Sequence, residues 1–467
     1  MSELDPLLHP ETFRDRLGTV DAEGARKWVY ASQPKGRFYN WRGYLSYFYL
    51  AVFFTLPLIK VNGNPLFLAG IIDRKFILFG VIFWPQDFFI FMLGMLTFMV
   101  FIILFTVVFG RVFCGWVCPQ TIFMEMVFRK IEYAIEGDAE KQKRSAKDGW
   151  TKERVTLRIL KLIAFFVISF LISNTFLSYI IGFDEVKKIA TEPIREHLGG
   201  FAAILIFTGV FLMVYTFVRE QVCTIVCPYG RLQGVLLDKK SILVAYDYLR
   251  GEPRGHDKKN TEKTHGDCVD CGLCVRVCPT SIDIRNGTQL ECINCTACID
   301  ACDSIMDKVG TPRGLIRYDS EDGITKNEKL RFTPRIKAYS FVLFILAGIE
   351  AALLITRTDV DATIMRAQGQ LFQQPDSGNI SNLYNIEILN KSKNTYPVTL
   401  KLEGMNGTIK IVGKDMILGS ETEIQETFFV VVPEKEIKQR KTNFKISVYA
   451  GDKKLVTAKS TFFGQVQ

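Results

Sequence analysis

The chain has 467 residues, a formal net charge of +9 and 48% hydrophobic residues. The apolar residues fall in blocks that reach the roughly 20 residues a helix needs to cross a bilayer, which excludes a uniformly soluble globular class. Lys and Arg number seven in 1–42 and ten in 111–158, against two in 61–79 and three in 183–199. That alternation is the positive-inside pattern, and without base-reading motifs it excludes nucleic acid as the partner of the positive charge.

The segment 1–42 is polar. It lacks the charged start and short apolar core of a cleaved signal peptide, so it is expected to stay in the cytoplasm. Membrane spans are predicted at about 43–60, 87–109, 159–182, 200–218 and 337–356. Five spans put the two ends on opposite sides, with 110–158 and 219–336 cytoplasmic and the chain after about 357 outside. The stretch 66–86 is broken by Asp73, Arg74, Lys75 and Pro85 and is read as an interfacial segment. The runs Gly137–Trp150 and Gly251–Gly266 are rich in charge and glycine and are read as linkers. Beyond residue 375, alternating runs at Leu383–Leu389, Val398–Leu402, Thr427–Val432 and Phe444–Tyr449 predict the strands of a small β-sandwich.

The resulting division is a cytoplasmic segment 1–42, a four-span region 43–250, a cluster domain 251–335, a fifth helix 336–357 and an outer domain 358–467. The fold class is a multi-domain integral membrane protein: an α-helical bundle of about five spans, an inserted α+β ferredoxin-like domain, and a C-terminal β-sandwich.

All twelve cysteines fall in four motifs. The first two are F-G-R-V-F-C-G-W-V-C-P, with Cys114 and Cys118, and V-R-E-Q-V-C-T-I-V-C-P, with Cys223 and Cys227. Each follows an apolar span and continues amphipathically (Ile122, Phe123, Met126, Val127; Leu232, Val235, Leu236), as an internal repeat would. Proline suits the first helical position and disfavours helix before it, so Cys118 and Cys227 are expected at helix N-termini, where a thiol's pKa is lowered. Four such sulfurs suit Cu(I) or a further iron–sulfur centre. The bland alternative, buried filler, is disfavoured by the repetition.

The other two motifs are C-V-D-C-G-L-C-V-R-V-C-P (Cys268, Cys271, Cys274, Cys278) and C-I-N-C-T-A-C-I-D-A-C (Cys292, Cys295, Cys298, Cys302). Both are the ferredoxin run C-x2-C-x2-C-x3-C, whose fourth cysteine ligates the other cluster. The first 4Fe–4S cluster is therefore expected on Cys268, Cys271, Cys274 and Cys302, and the second on Cys292, Cys295, Cys298 and Cys278. Asp303 stands where the first run has Pro279. Zinc is disfavoured because separate tetrahedral sites have no use for a doubled three-plus-one spacing. In a cytoplasmic setting the thiols stay reduced, favouring metal over disulfides.

Weaker candidates are Met92, Met95 and Met99 on one helical face, read as membrane filler, and Glu350 inside the fifth span. His9, His197, His256 and His265 lie in polar segments, so no haem is expected.

The order of these parts resembles the FixG/CcoG-type (RdxA-like) accessory proteins of the high-affinity haem–copper cytochrome oxidase. The resemblance is carried by F-W-P-Q-D (Phe83–Asp87), both C-x3-C-P motifs, the doubled ferredoxin run, R-T-D-V-D-A-T-I-M-R (Arg357–Arg366) and N-L-Y-N-I-E-I-L-N-K from Asn382. It implies a bacterial inner-membrane protein with a cytoplasmic ferredoxin-like domain and a periplasmic immunoglobulin-like tail. It also implies reduction of Cu(II) to Cu(I) for oxidase assembly, and the leading reading places that reduction at metal held near Cys114, Cys118, Cys223 and Cys227. The implied partners are a cytoplasmic electron donor and the oxidase subunits or their copper-delivery proteins. Two rivals stay open: a quinol-oxidising membrane ferredoxin feeding a partner enzyme, and a non-catalytic copper carrier or assembly scaffold.

Overall fold

A computed structural model of the chain describes Thr19 and residues 26–61, 63–70, 75–256, 264–326, 333–367, 369, 372–376, 378–413, 416–437 and 439–464. His9, Asp73 and Arg74 fall outside the described residues, as does 257–263 within the second expected linker. The chain divides into two units, Met1–Gly348 and Ile349–Gln467.

Among the described residues, four helices are long and apolar enough to cross a membrane: Pro85–Phe109, Lys152–Ile181, Leu198–Val218 and Pro334–Ile355. The predicted span at 43–60 is instead a 19-residue helix, α1 (Arg37–Thr55), that starts earlier and is not among those four. Its first turns carry Arg37 and a buried Arg42, which lower its apolar content. The 66–86 stretch differs from expectation more sharply. It forms an antiparallel sheet of β1 (Phe67–Gly70), β2 (Lys75–Leu78) and β3 (Val81–Phe83) around buried Leu68, Ile77 and Ile82. Phe79 and Gly80 both have positive φ (52° and 77°), as a tight two-residue hairpin turn requires.

Next, α2 (Phe88–Phe109) opens where the Asp87 carboxylate accepts the Trp84 N–H at 3.3 Å and Pro85 stands at a first helical position. The C-x3-C-P segment leads into α3 (Arg129–Glu136). The first expected linker then contains a helix, α4 (Ala139–Lys147). In α5 (Lys152–Ile181) the N-cap Thr151 hydroxyl accepts from Arg154 N–H. A short α6 (Phe183–Thr191) and α7 (Leu198–Met213) follow, and α7 ends in a wide turn over Val214–Val218.

Aromatic packing joins these helices, with Phe123, Phe128, Phe165, Ile172 and Tyr215 buried together. Ser173 and Thr208 hydrogen-bond across α5 and α7 at 2.9 Å, the polar contact that membrane helices use where hydrocarbon offers none.

The cysteine-rich part begins after α8 (Pro228–Leu236). Strands β4 (Leu243–Tyr246) and β5 (Ile316–Asp319) pair antiparallel beside α9 (Ala297–Val309), over a core that includes Val244, Ile299, Met306 and Leu315. The last helix, α10, is Pro334–Ile355.

The second unit is a β-sandwich. One sheet has the order β10–β12–β8–β6 with β7 also on β8, and the other β11–β9–β13–β14. The ranges are β6 Val360–Arg366, β7 Gln373–Asp376, β8 Asn379–Asn390, β9 Tyr396–Glu403, β10 Thr408–Val412, β11 Met416–Leu418, β12 Glu423–Pro433, β13 Lys441–Ala450 and β14 Lys453–Phe463. All four predicted strand runs lie within β8, β9, β12 and β13. The two tail motifs are partners in one ladder, with Tyr384 opposite Arg366 and Asn390 opposite Val360. Both sheets contribute to the core, through Tyr384, Ile388 and Phe428 from one and Val398, Ile446 and Phe462 from the other.

Candidate metal centres

In the doubled run the residues flanking each second cysteine are left-handed: Asp270 (φ 51°) and Gly272 (64°) around Cys271, Asn294 (54°) and Thr296 (65°) around Cys295. Asp and Asn tolerate that region and glycine adopts it freely, so each C-x2-C loop curls around a hollow. A short helix, Leu273–Arg276, and α9 then carry the chain away. One hollow is lined by Cys268, Cys271, Cys274 and Cys302. The other is lined by Cys278, Cys292, Cys295 and Cys298, with Cys274 at its edge.

The wall of each hollow thus includes the fourth cysteine of the other run, Cys302 in the first and Cys278 in the second. Asp303 accepts the Gly314 N–H at 3.0 Å, tying α9 to the chain that enters β5.

The thiols suit 4Fe–4S clusters on two counts. Burial pushes Cys274 and Cys295 up to about 11 and Cys292 and Cys302 up to about 12, so these are neutral, apolar-lined thiols until a cation displaces their protons. Among the described residues no three thiols lie within 4.8 Å of one another. A single tetrahedral zinc ion, with Zn–S of about 2.3 Å, would hold them about 3.8 Å apart.

The C-x3-C-P motifs close against this region. Cys118 and Cys227 are N-caps, of the turn Pro119–Thr121 and of α8, as the prolines predict. Cys114 lies in the short helix Val112–Trp116 and shares a buried cluster with Ile293, Cys295 and Ala297. Gly115 explains how the two can approach: a Cβ there would stand 2.4 Å from the Ile293 carbonyl oxygen and 3.0 Å from that of Asn294. Only a residue without a side chain lets these backbones meet.

Arg111 donates from Nε to Gln233 Oε1 (2.9 Å) and from Nη1 to the Leu290 carbonyl. Gln233 Oε1 also accepts from the Cys114 thiol at 3.3 Å. Burial pushes Cys223 up to about 12, helped by neighbouring Cys118 and Cys114, while Arg111 opposes it. Cys114 is likewise raised by burial, against Arg111. Cys118 and Cys114 are thus the thiols near Cys223, and the Cys227 N–H donates to the Val222 carbonyl (2.7 Å).

The two copies of the repeat diverge after their cysteines. Ile122, Phe123 and Met126 are buried, but Leu232 is 51% and Val235 82% exposed.

Several contacts here carry no motif signal. Trp116 Nε1 donates to Tyr318 Oη (3.0 Å), which donates to the Asn294 carbonyl (3.1 Å). Arg42 reaches the Cys295 carbonyl at 3.3 Å. Asp300 of α9 accepts the Phe38 and Tyr39 N–H groups (3.1 and 2.7 Å), anchoring the start of α1 beside the second hollow. A buried ionic group runs through Glu132, held by both Nη atoms of Arg219 (2.9 and 2.8 Å), with Lys161, Arg129 and Glu220. Burial favours a neutral Glu132, but Arg219 and Lys161 outweigh it and hold its pKa down to about 2.

Met92, Met95 and Met99 are 49–58% exposed along α2. Glu350 is half-buried in α10. His197 joins Glu192 and Glu196 in a surface group, while His256 and His265 lie in the loop before Cys268.

Comparison with known proteins adds three family matches: a 4Fe-4S dicluster domain over residues 218–321, a 4Fe-4S binding domain over 91–135, and an IG-like fold at the C-terminal of FixG over 351–465. The chain is 34% identical over 397 residues to protein RdxA of Cereibacter sphaeroides, covering 81% of this chain and 83% of that one. It is 29% identical over 465 residues to the nitrogen fixation protein FixG of Rhizobium meliloti (87% and 88%), and 30% over 386 residues to RdxB of C. sphaeroides (78% and 80%). With apolar helices, cluster-binding cysteines and an immunoglobulin-like tail in the same order along nearly the whole chain, this iron–sulfur membrane protein belongs to the FixG/RdxA family.

Proposed function

We propose that the protein carries two 4Fe–4S clusters and reduces Cu(II) to Cu(I) at metal held near Cys114, Cys118, Cys223 and Cys227, supplying copper for assembly of the high-affinity haem–copper oxidase. The observation that carries this reading is the seating of Gly115 on Ile293–Asn294, which sets one thiol group against the loop of the other. The clusters, held by Cys268, Cys271, Cys274 and Cys302 and by Cys292, Cys295, Cys298 and Cys278, would supply one-electron transfer.

The chain's own residues prepare the substrate side. Soft thiolates bind Cu(I) far better than Cu(II), so gaining one electron fixes the ion where it is reduced. Cys114 and Cys223 are neutral beforehand and release their protons as copper binds. Gln233 and Arg111 orient the Cys114 sulfur, and the half-buried rings of Trp116 and Phe38, packed edge to face, shield the junction from bulk water.

The proposal includes orientation. The start of α1 is held by Asp300, while its far end meets that of α5, where Tyr179 Oη donates to the Phe53 carbonyl at 2.8 Å. Its 19 residues extend roughly 28 Å, so α1 serves as a fifth crossing. The Lys/Arg pattern then makes the cluster side cytoplasmic and the sandwich periplasmic, in a bacterial inner membrane.

Anaerobically reduced protein should convert Cu(II) to a chelatable Cu(I), and the Cys114→Ser/Cys118→Ser variant should lose most of that activity. Equal rates in both proteins would defeat the reading. A second reading has its own support: the 4Fe-4S binding domain match over 91–135 contains Cys114 and Cys118, so these thiols would hold a third cluster.

A further inference from the structure

A cavity beside α5 has no part in that reading. It is bounded by Trp28 and Tyr30, α3, α4, the first turns of α5 and the end of α7, with a volume of about 690 Å3, within the range of natural ligand pockets. Its floor is charged and already ion-paired, since Arg219 and Lys161 meet Glu132 and Lys161 also meets Glu136 at 2.7 Å.

The rim is different. Six cations line the cavity against four carboxylates. Among the described residues Lys141 and Arg158 have no carboxylate partner, and Arg154 donates only to the main-chain oxygens of Ala146 and Gly149. Beside the rim stands Trp150, 74% exposed, with the Arg154 and Arg158 guanidinium groups 5.3 and 4.8 Å from its ring. An exposed tryptophan between arginines at the start of an apolar helix marks the bilayer interface.

The remaining wall is apolar and leads outward, through Leu162 (43% exposed) and Phe217 (60%) on two of the membrane-length helices. On that wall the buried Thr216 hydroxyl has no hydrogen-bond partner.

We propose that this cavity holds the head group of an anionic phospholipid, its phosphate on Lys141, Arg154 and Arg158 and its acyl chains leaving over Leu162 and Phe217. A soluble anion would leave the apolar wall bare, and a neutral amphiphile would leave the cationic rim unpaired. An anionic lipid satisfies both ends, as basic pockets between membrane helices do for lipid head groups.

The test is native mass spectrometry of delipidated full-length protein titrated with phosphatidylglycerol, phosphatidylcholine or inorganic phosphate. One phosphatidylglycerol should bind about tenfold or more tightly than phosphatidylcholine, and millimolar phosphate should not displace it. Arg154→Gln/Arg158→Gln should abolish that preference, and the single Lys141→Gln should weaken it several-fold, with iron content unchanged as a check on folding. Equal binding of the two lipids, displacement by phosphate, retained preference in the double variant, or a neutral quinone-type molecule held in place of lipid would each overturn the proposal.

Discussion

In the run Cys268–Cys302 eight thiols are placed by the short loops between them, whereas Cys114 meets Cys295 and Gln233 only because distant segments dock. The first arrangement depends on local dihedrals: left-handed residues at 270, 272, 294 and 296 aim the sulfurs inward. The second depends on a close backbone approach at Gly115 and on Arg111 and Gln233, which are 122 residues apart. Local geometry survives changes elsewhere in the fold, while a docked site fails with any of its supports.

The sharpest way to break the comparison is Cys295→Ser, since this residue belongs to the local set yet packs with Cys114. Iron should fall by about four atoms per chain, read by iron and sulfide analysis, and Cu(I) affinity should fall with it. Next in size is Glu132→Gln, which leaves Arg219 buried with half its partner gone. We expect a loss of about 3–5 kcal/mol in unfolding measurements.

The same carboxylate gives a pH dependence. Its pKa is about 2 when folded against an ordinary 4.5, so its stabilisation is complete above pH 4.5 and is lost as pH falls from there towards 2. The Gln variant should show a flatter acid limb.

Gly115→Ala should cost about 1–3 kcal/mol by overpacking and should weaken copper binding while leaving iron content near normal, separating docking from cluster assembly. The smallest effect is expected where the repeat's copies diverge. Val235→Ala, at an 82% exposed position, should stay within about 0.5 kcal/mol, whereas Phe123→Ala, at 4% exposed, should cost about 3–5 kcal/mol.

How much of this was legible in the sequence follows the same division. Ferredoxin spacing, membrane-length apolar runs and period-two strands are local patterns, and the hollows, four long helices and sandwich strands follow them. The sheet at 67–83 was missed because its strands are three or four residues long and interrupted by charges. The helix in 139–147 was hidden by polarity: its sequence, A-E-K-Q-K-R-S-A-K, is made of good helix formers with little to bury.

The roles of Gln233, Asp300, Trp116 and the Glu132 group had no signal at all, because each depends on a partner from a distant part of the chain. Even the repeat misled in part. Arg111 serves the thiol group, while Arg219, its apparent counterpart, turns to Glu132.

Iron content decides most directly whether the two cysteine systems are different in kind. Anaerobically purified protein should contain about eight irons per chain, and Cys114→Ser/Cys118→Ser should contain the same eight. About twelve irons, falling to about eight in the variant, would contradict the account and make the docked thiols a third cluster site.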